Sequence, residues 1–193
     1  MTNNFCVRLA TLSDKNEIYK IRHRIYAEEL GQHPVNNEKR LIDNLDKYNE
    51  YIVVRHRDVI VGFVSITPPN EIGYSIDKYI SRTELPFQFH DGLFEIRLLT
   101  IVKEWRTSVV LQLLLYGAYI YLIQNKASEV VAIGRKEIMP MYLRIGFKSL
   151  GKQFFSGKVV YELMIIDNIS FQEHSKKSFH GWLLKGMPSC LKK

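Results

Sequence analysis

Two cysteines, Cys6 and Cys190, are all that the 193 residues contain. They stand near opposite ends, with neither the spacing of a zinc site nor that of a redox pair. A disulfide framework is therefore without support, and the expected state is two reduced thiols in a cytoplasmic protein. Ligand spacing is absent from the histidines too: His23, His33, His56 and His90 are scattered, so no metal is expected. The longest apolar run, Val109–Ile123, falls short of the ~20 residues that cross a bilayer. Met1–Arg8 has no apolar stretch behind it, so a secretory leader is not expected either. Internal repeats and low-complexity tracts are missing.

What remains is an ordinary globular composition, 46% hydrophobic and 24% charged, long enough for one domain with a substantial core. The formal charge of +7 suits an anionic partner: nucleic acid, an anionic membrane surface or an acidic protein. Aromatic and basic residues do not interleave as a single-strand binder requires, and no helix-turn-helix or zinc spacing appears. Nucleic acid is thus an unlikely partner. Domain boundaries are expected at 1–167 for the folded unit and 168–193 for a basic, aromatic tail. In that tail Phe171, Phe179, Trp182, Leu183 and Leu184 alternate with Lys176, Lys177, Lys185, Lys192 and Lys193. Its aromatics favour docking on the domain, although a basic arm on a membrane surface stays open.

Phe5–Thr11 alternates and reads as a strand, followed by a helix that Ser13 and Asp14 start and Gly31 ends. Arg22 and Arg24 lie in the C-terminal half of that helix, where cations are favoured. Asp43 and Asp46, three apart, share a face if their segment is helical. Tyr51–His56 and Val59–Thr67 predict a hairpin across Arg57-Asp58. Asn70–Gly92 is long for a connection and too apolar for disorder, with Ile72, Tyr74, Ile76, Tyr79, Leu85, Phe87 and Phe89. It reads as a short helix plus loop walling a hydrophobic slot.

The organising stretch is Leu93–Ile123. A buried strand carries Glu95 and Arg97 two apart, on one face. A cationic turn follows, then a helix from about Ser108 that is apolar round most of its circumference and must be enclosed. A strand feeding a helix start through cations presents backbone N–H groups and a positive dipole to an anion. Downstream, Glu129–Gly134 reads as another buried strand. A helix carrying Pro140 comes next, and Phe147–Gly151 with Lys158–Ile166 closes the sheet.

Three segments resemble the GNAT superfamily of N-acyltransferases: LLTIVKEWRTSVVLQLL, MYLRIGFKSLG, and IRHRIYAEELG with IDNLD. The last, together with FEIRLL and the long insertion, is similar to the autoinducer synthases and the long-chain N-acyl amino acid synthases. The resemblance implies an α/β (α+β) fold, a mixed and mostly antiparallel twisted sheet splayed at its central strands and flanked by helices. It implies an acyl donor, acyl-ACP through its phosphopantetheine or acyl-CoA, lying along Leu99, Thr100, Ile101 and Val102, with its phosphate at Arg106, Thr107, Ser108 and Val109. Tyr142 would protonate the leaving thiolate. Glu95 would serve as base or amine anchor, unless it forms a structural ion pair with Arg97. Substrate contacts would come from Arg22, Arg24, Asp43 and Asp46, with Phe63, Tyr74 and Phe87 along the slot.

Departures from the pattern matter. Val109 and Leu111 stand where the family's phosphate loop has glycines, and a β-branched residue is poorly suited to an anion nest. A single phosphodiester needs less of a cradle, and Lys103, Arg106, Arg135, Lys136 and Arg144 would attract an acidic acyl carrier protein. Gln32 stands where a tryptophan would follow Gly31, and the strand GFVSI lacks the arginine expected after Gly62. The expected function is transfer of an acyl group, fatty in kind, to the amine of an amino acid or small amine. A homoserine-lactone synthase, an acetyl-CoA N-acetyltransferase and a non-catalytic acyl-pantetheine sensor are the alternatives.

Overall fold

The computed structural model describes residues 5–106, 108–174 and 177. Seven strands form one sheet in the order β1-β2-β3-β4-β5-β7-β6. They are β1 (Phe5–Leu9), β2 (Glu50–His56), β3 (Val59–Thr67), β4 (Leu93–Ile101), β5 (Glu129–Arg135), β6 (Lys148–Ser156) and β7 (Val159–Asp167). Every neighbouring pair is antiparallel except β4 with β5. That parallel pair needs a crossover, and the helix α2 (Ser108–Gln124) supplies it. This is the mixed, mostly antiparallel sheet expected.

Because α2 is apolar nearly all round, it is enclosed: Val110, Leu113, Leu114, Ala118 and Leu122 are buried against one face of the sheet. Each of the leucines contributes about 1.5–3 kcal/mol relative to exposure. The short helix α3 (Met139–Arg144), with Pro140 in its first turn, covers the same face through Met139 and Tyr142. A helical stretch over residues 168–174 adds Phe171, whose ring meets Tyr119 edge-on at 5.4 Å. The rest of the expected tail, including Phe179, Trp182 and Cys190, lies outside the described residues apart from exposed Lys177. Among the described residues no helix is long and apolar enough to cross a membrane.

The opposite face carries α1 (Leu12–Arg22) and the wider π-helical turn His23–Glu29 that continues it. Thr11, rather than Ser13 or Asp14, caps this helix: its hydroxyl accepts from the Asp14 N–H, and Asp14 accepts from the Thr11 N–H at 2.7 Å. The Asn70–Gly92 insertion lies beside it as two 3₁₀ turns, Ser75–Lys78 and Arg82–Glu84. The start of the insertion, through Ile72, Tyr74, Asp77 and Lys78, walls a mixed polar and apolar cavity of about 810 Å³ against the turn Asn44–Lys47, but its later aromatics line no slot beside β4. Tyr74 and Ile76 are buried with Leu93, Val131 and Leu163, and Leu85, Phe87 and Phe89 pack around them. The aromatics of the insertion complete a core of their own.

Candidate active site

β4 and β5 run paired only from Leu93↔Glu129 to Ile96↔Ala132. Beyond that point they part, and a cavity of about 570 Å³ opens between Leu98–Ile101 on one side and Ile133–Arg135 on the other. The cause of the parting is local. Leu98 has φ +55, rare for a branched residue, and the β3–β4 register slips opposite it between Phe63 and Ser65. A bulge at this point turns the end of β4 away from β5.

The bulge decides which amides face the gap. Val102 donates to the Val61 carbonyl at 3.0 Å, so the expectation that it serves a donor is corrected. Amides alternate between the two edges of a strand. Counting back from Val102, Thr100 turns to β3 and lies opposite Phe63, whereas Ile101 and Leu99 turn to the gap. Two of the four expected amides therefore face the cavity.

At the far end, Trp105 stacks on His56 (4.5 Å) and meets Phe5 (5.7 Å), which fixes the turn Lys103–Trp105 ahead of α2. Arg106 reaches back to the Ile101 carbonyl at 3.4 Å and lines the cavity, as does Leu111. The start of α2 opens beside them, with its N–H groups and positive dipole. Val109 packs against the core, Thr107 is outside the described residues, and of Ser108 only the backbone is described.

On the α1 side, Arg22 is 2% exposed and lines the same cavity. Its Nη1 donates to both oxygens of Asp46 (2.8 and 2.7 Å) and to Tyr51 Oη (3.0 Å), and its Nη2 donates to Asp43 (3.2 Å). Burial works against this charge, but Tyr51, Asp46 and Asp43 outweigh it and hold the pKa above its ordinary value. Asp43 also accepts from Arg97 Nη2 at 2.6 Å. Burial raises its pKa less than Arg97 and Arg22 lower it, so the carboxyl stays ionised below the usual range. Asp43 caps the 3₁₀ turn Asn44–Lys47 and Asp46 closes the capping box, so the three-residue spacing brings both onto Arg22. Arg24 is corrected as a substrate contact: half exposed, it sits 4.0 Å from Glu29 and lines no part of the cavity.

Glu95 and Arg97 share a face of β4 without pairing directly. Arg97 goes to Asp43, while the fully buried Glu95 accepts from Ser75 N (2.8 Å), Ser75 Oγ (2.6 Å) and Ile76 N (3.2 Å). Burial raises its pKa, partly offset by Arg97 and these bonds. Glu95 is absent from the cavity wall, so its geometry is that of a latch holding the insertion to β4 rather than of a base. Phe63, fully buried against Tyr51, and Phe87 are likewise absent from that wall. Tyr74 donates to the Leu93 carbonyl in the core. Phe63 and Phe87 are corrected as slot residues, whereas Tyr74 lines the cavity between the insertion and the turn Asn44–Lys47.

Tyr142 does line the cavity. Its ring lies on Gly134, where an added Cβ would stand 2.5 Å from the ring and 2.3 Å from Met164. Burial, with Tyr26 and Tyr161 nearby, pushes its pKa well above the ordinary phenol value. Both neighbours line the cavity too; Tyr161 Oη accepts from Gln32 at 2.8 Å. Tyr26, Tyr161 and Lys78 were not singled out from sequence. Tyr26 follows Arg22 by four, so it shares its helix face, and that spacing was the available signal. Among the described residues no group of three or more His, Cys, Asp or Glu is placed to hold a metal.

The sheet is parted at its centre, with strand amides turned to the gap on one lip and a helix N-terminus at its end. Residues 21–116 match the family model described as an acetyltransferase (GNAT) domain. Among solved structures, the chain is similar to the CoA-dependent acyl-homoserine lactone synthase BjaI (TM-score 0.75, 14% identity, 97% of this chain and 92% of that one). It is similar also to the AHL synthase LasI (0.69, 15%, 86% and 91%). A third is FeeM, an N-acyl amino acid synthase from uncultured soil microbes (0.69, 13%, 92% and 100%). At such identities the likeness is one of fold. No curated protein matches the sequence. Residues 21–116 thus match a GNAT acetyltransferase domain, and the chain has the fold of these synthases.

Proposed function

We propose that this N-acyltransferase moves an acyl group, fatty in kind, from a pantetheine thioester onto the amine of an amino acid or small amine. The observation that carries this reading is the parting of β4 from β5 at Ile96 and Ala132, with a cavity beside the freed edge. The donor arm lies against the Leu99 and Ile101 amides, and the thioester carbonyl takes a strand N–H that stabilises the developing oxyanion. The amine nitrogen attacks the carbonyl carbon, the tetrahedral intermediate collapses and the C–S bond breaks. Tyr142, held protonated, gives its proton to the leaving sulfur and regains the one lost by nitrogen. Each methylene of the acyl chain buried among Leu98, Ile133, Ile138 and Met141 adds about 0.8 kcal/mol of binding.

The donor's phosphate belongs at Arg106 and the start of α2. Val109, where the family has glycine, favours a single phosphodiester and hence acyl-ACP over acyl-CoA. Arg135 on the cavity wall, with the basic Lys136 and Arg144 that follow it in sequence, would draw an acidic carrier. A sequence with two cysteines near its opposite ends suits a cytoplasmic setting. The test is release of free thiol from matched acyl-ACP and acyl-CoA over a panel of amino acids and amines. Thiol release that depends on an acceptor supports the reading; donor binding without release favours a sensor.

A further inference from the structure

We infer that His23, which lines no part of the cavity, is a positioning residue for acyl transfer: it holds the π-helical turn in the register that puts Tyr26 at the β4 bulge. This rests on the acyl-transfer reading and adds to it a residue that acts through another.

The turn His23–Glu29 is wound more widely than the helix it continues. Leu30 donates to the Ile25 carbonyl, five residues back, at 2.9 Å, and Gln32 donates to the Tyr26 carbonyl at 2.8 Å. Such wide turns are rare and gather at functional sites. Here the turn aims Ile25, Tyr26, Glu29 and Leu30 at the cavity. Tyr26 crosses to β4, where its Oη lies 2.8 Å from Thr100 Oγ1.

Two side-chain pairs fit this register and no tighter one. His23 Nδ1 lies 3.1 Å from Glu28 Oε1, and Arg24 Nε lies 4.0 Å from Glu29 Oε1. Both pairs are five residues apart. In an α-helix, with about 3.6 residues per turn, such residues point about 140° away from each other. Only the first pair has a buried member: His23 is 1% exposed, whereas Arg24 is half exposed.

The His23 ring is also oriented from outside the helix. Its Nε2 accepts from the Asn36 N–H at 3.0 Å, so the proton of the neutral ring sits on Nδ1, the nitrogen that faces Glu28. Asn36 is held in turn: its side chain donates to the Arg40 carbonyl at 2.8 Å and accepts from the Arg40 N–H at 3.3 Å. Just beyond, Leu41, Ile42 and Asp43 line the cavity. One buried ring therefore ties the turn to the next segment of cavity wall. Relaxation of the turn to α-helical register would part His23 from Glu28 and swing Tyr26 off Thr100.

Glu28 is itself 43% exposed, so the pair adds little to stability, and its loss should be read in the place of the Tyr26 ring. The full chain would be labelled uniformly with 3-fluorotyrosine, and the Tyr26 resonance identified by its disappearance in Tyr26→Phe. Glu28→Ala should move that resonance and lower acceptor kcat/KM about 2–10-fold, the worth of one hydrogen bond, with donor KM and Tm close to wild type. Glu28→Gln keeps an acceptor oxygen for Nδ1 and should restore both readings. In the Tyr26→Phe background, Glu28→Ala should lower kcat/KM no further, because the two changes remove the same contact. A Tyr26 resonance unmoved by Glu28→Ala, or losses that multiply in the double variant, would overturn the inference. The resonance is read without substrate. If it moves as expected in a chain that releases no thiol from any donor, the positioning stands and the acyl-transfer reading falls.

Discussion

Tyr26 Oη lies 2.8 Å from Thr100 Oγ1, and Thr100 in turn donates its proton to the Leu98 carbonyl at 2.9 Å. A carbonyl can only accept, so this short chain has a direction: Tyr26 donates to Thr100 and presents lone pairs to the cavity. A lone pair at the bulge suits an incoming amine N–H. Tyr26→Phe should lower kcat/KM for the acceptor about 2–10-fold, the worth of one neutral hydrogen bond, with the donor KM unchanged. Thr100→Val keeps the shape but frees the Tyr26 proton to turn into the cavity, and should lower the same parameter. Acceptor kinetics at saturating donor check both; a change confined to donor KM would remove Tyr26 from acceptor binding.

Tyr142 should behave differently. Replacement by phenylalanine removes the proton donor and leaves the ring on Gly134, so donor affinity should hold while thiol release slows by about 10²-fold or more. Single-turnover measurement separates the two. Because burial and the neighbouring tyrosines hold its pKa above the ordinary value near 10, no loss of rate below that pH should trace to Tyr142. An alkaline limb near neutrality that vanishes in Tyr142→Phe would contradict this.

How much of this was legible beforehand follows from what each residue's neighbours are. The β4–turn–α2 unit was readable because α2 is apolar nearly all round, and only enclosure explains that. Asp43 and Asp46 were readable as a pair because spacing alone puts them together. Their partner Arg22 read by itself as a solvated residue, since its burial depends on strands far along the chain. Phe87 and Phe89 gave the wrong answer for a physical reason: aromatics that line a slot and aromatics that fill a core have the same composition. The same limit applies to Glu95 and Arg97. Alternation placed both on one face, but the turn at Ser75 and the cap at Asp43, which separate them, come from other segments. A bulge at Leu98 leaves no mark in sequence, and Gly62 faces Val110 and Leu114 of α2 rather than a slot.

Gly134→Ala tests the packing under Tyr142. Its Cβ would stand 2.5 Å from the Tyr142 ring and 2.3 Å from Met164. Met164 can yield, being flexible at that end, whereas the ring yields only by tilting into the cavity. The expected outcome is a fall in turnover of about tenfold for a stability change of about 1–3 kcal/mol. Full activity with normal stability would show that the ring position is not demanding.

The Arg22–Asp46 pair is buried on both sides, at 2% and 4% side-chain exposure. Asp46→Ala strands a guanidinium and should cost about 3–5 kcal/mol, or about 10 °C in Tm for a chain of this size. Asp43 adds a pH signature. Its folded pKa is lowered, so its contribution is present above the unfolded value near 3.9 and lost as pH falls through the folded value. Asp43→Asn should therefore flatten the acid limb of the stability curve in urea melts taken below pH 5. An unchanged limb would mean that Asp43 is not part of acid unfolding.

Glu95 should carry the opposite sign. Burial raises its folded pKa above the unfolded value near 4.3, despite Arg97 and the donors of Ser75 and Ile76. The folded chain then binds more protons than the unfolded one between those two pKa values, so stability from this group is complete at low pH and declines as pH rises through the folded value. Glu95→Gln is neutral throughout and cannot follow that decline. The difference in stability, wild type minus Glu95→Gln, should shrink as pH is raised from 4 upward, and all other titrating groups cancel in the subtraction. Limited proteolysis gives a second reading: if Glu95 latches the insertion to β4, Glu95→Ala should expose the 70–92 segment to cleavage while the central sheet stays protected. A stability difference that is flat or grows with pH, together with an insertion no easier to cut, would return Glu95 from latch to candidate base.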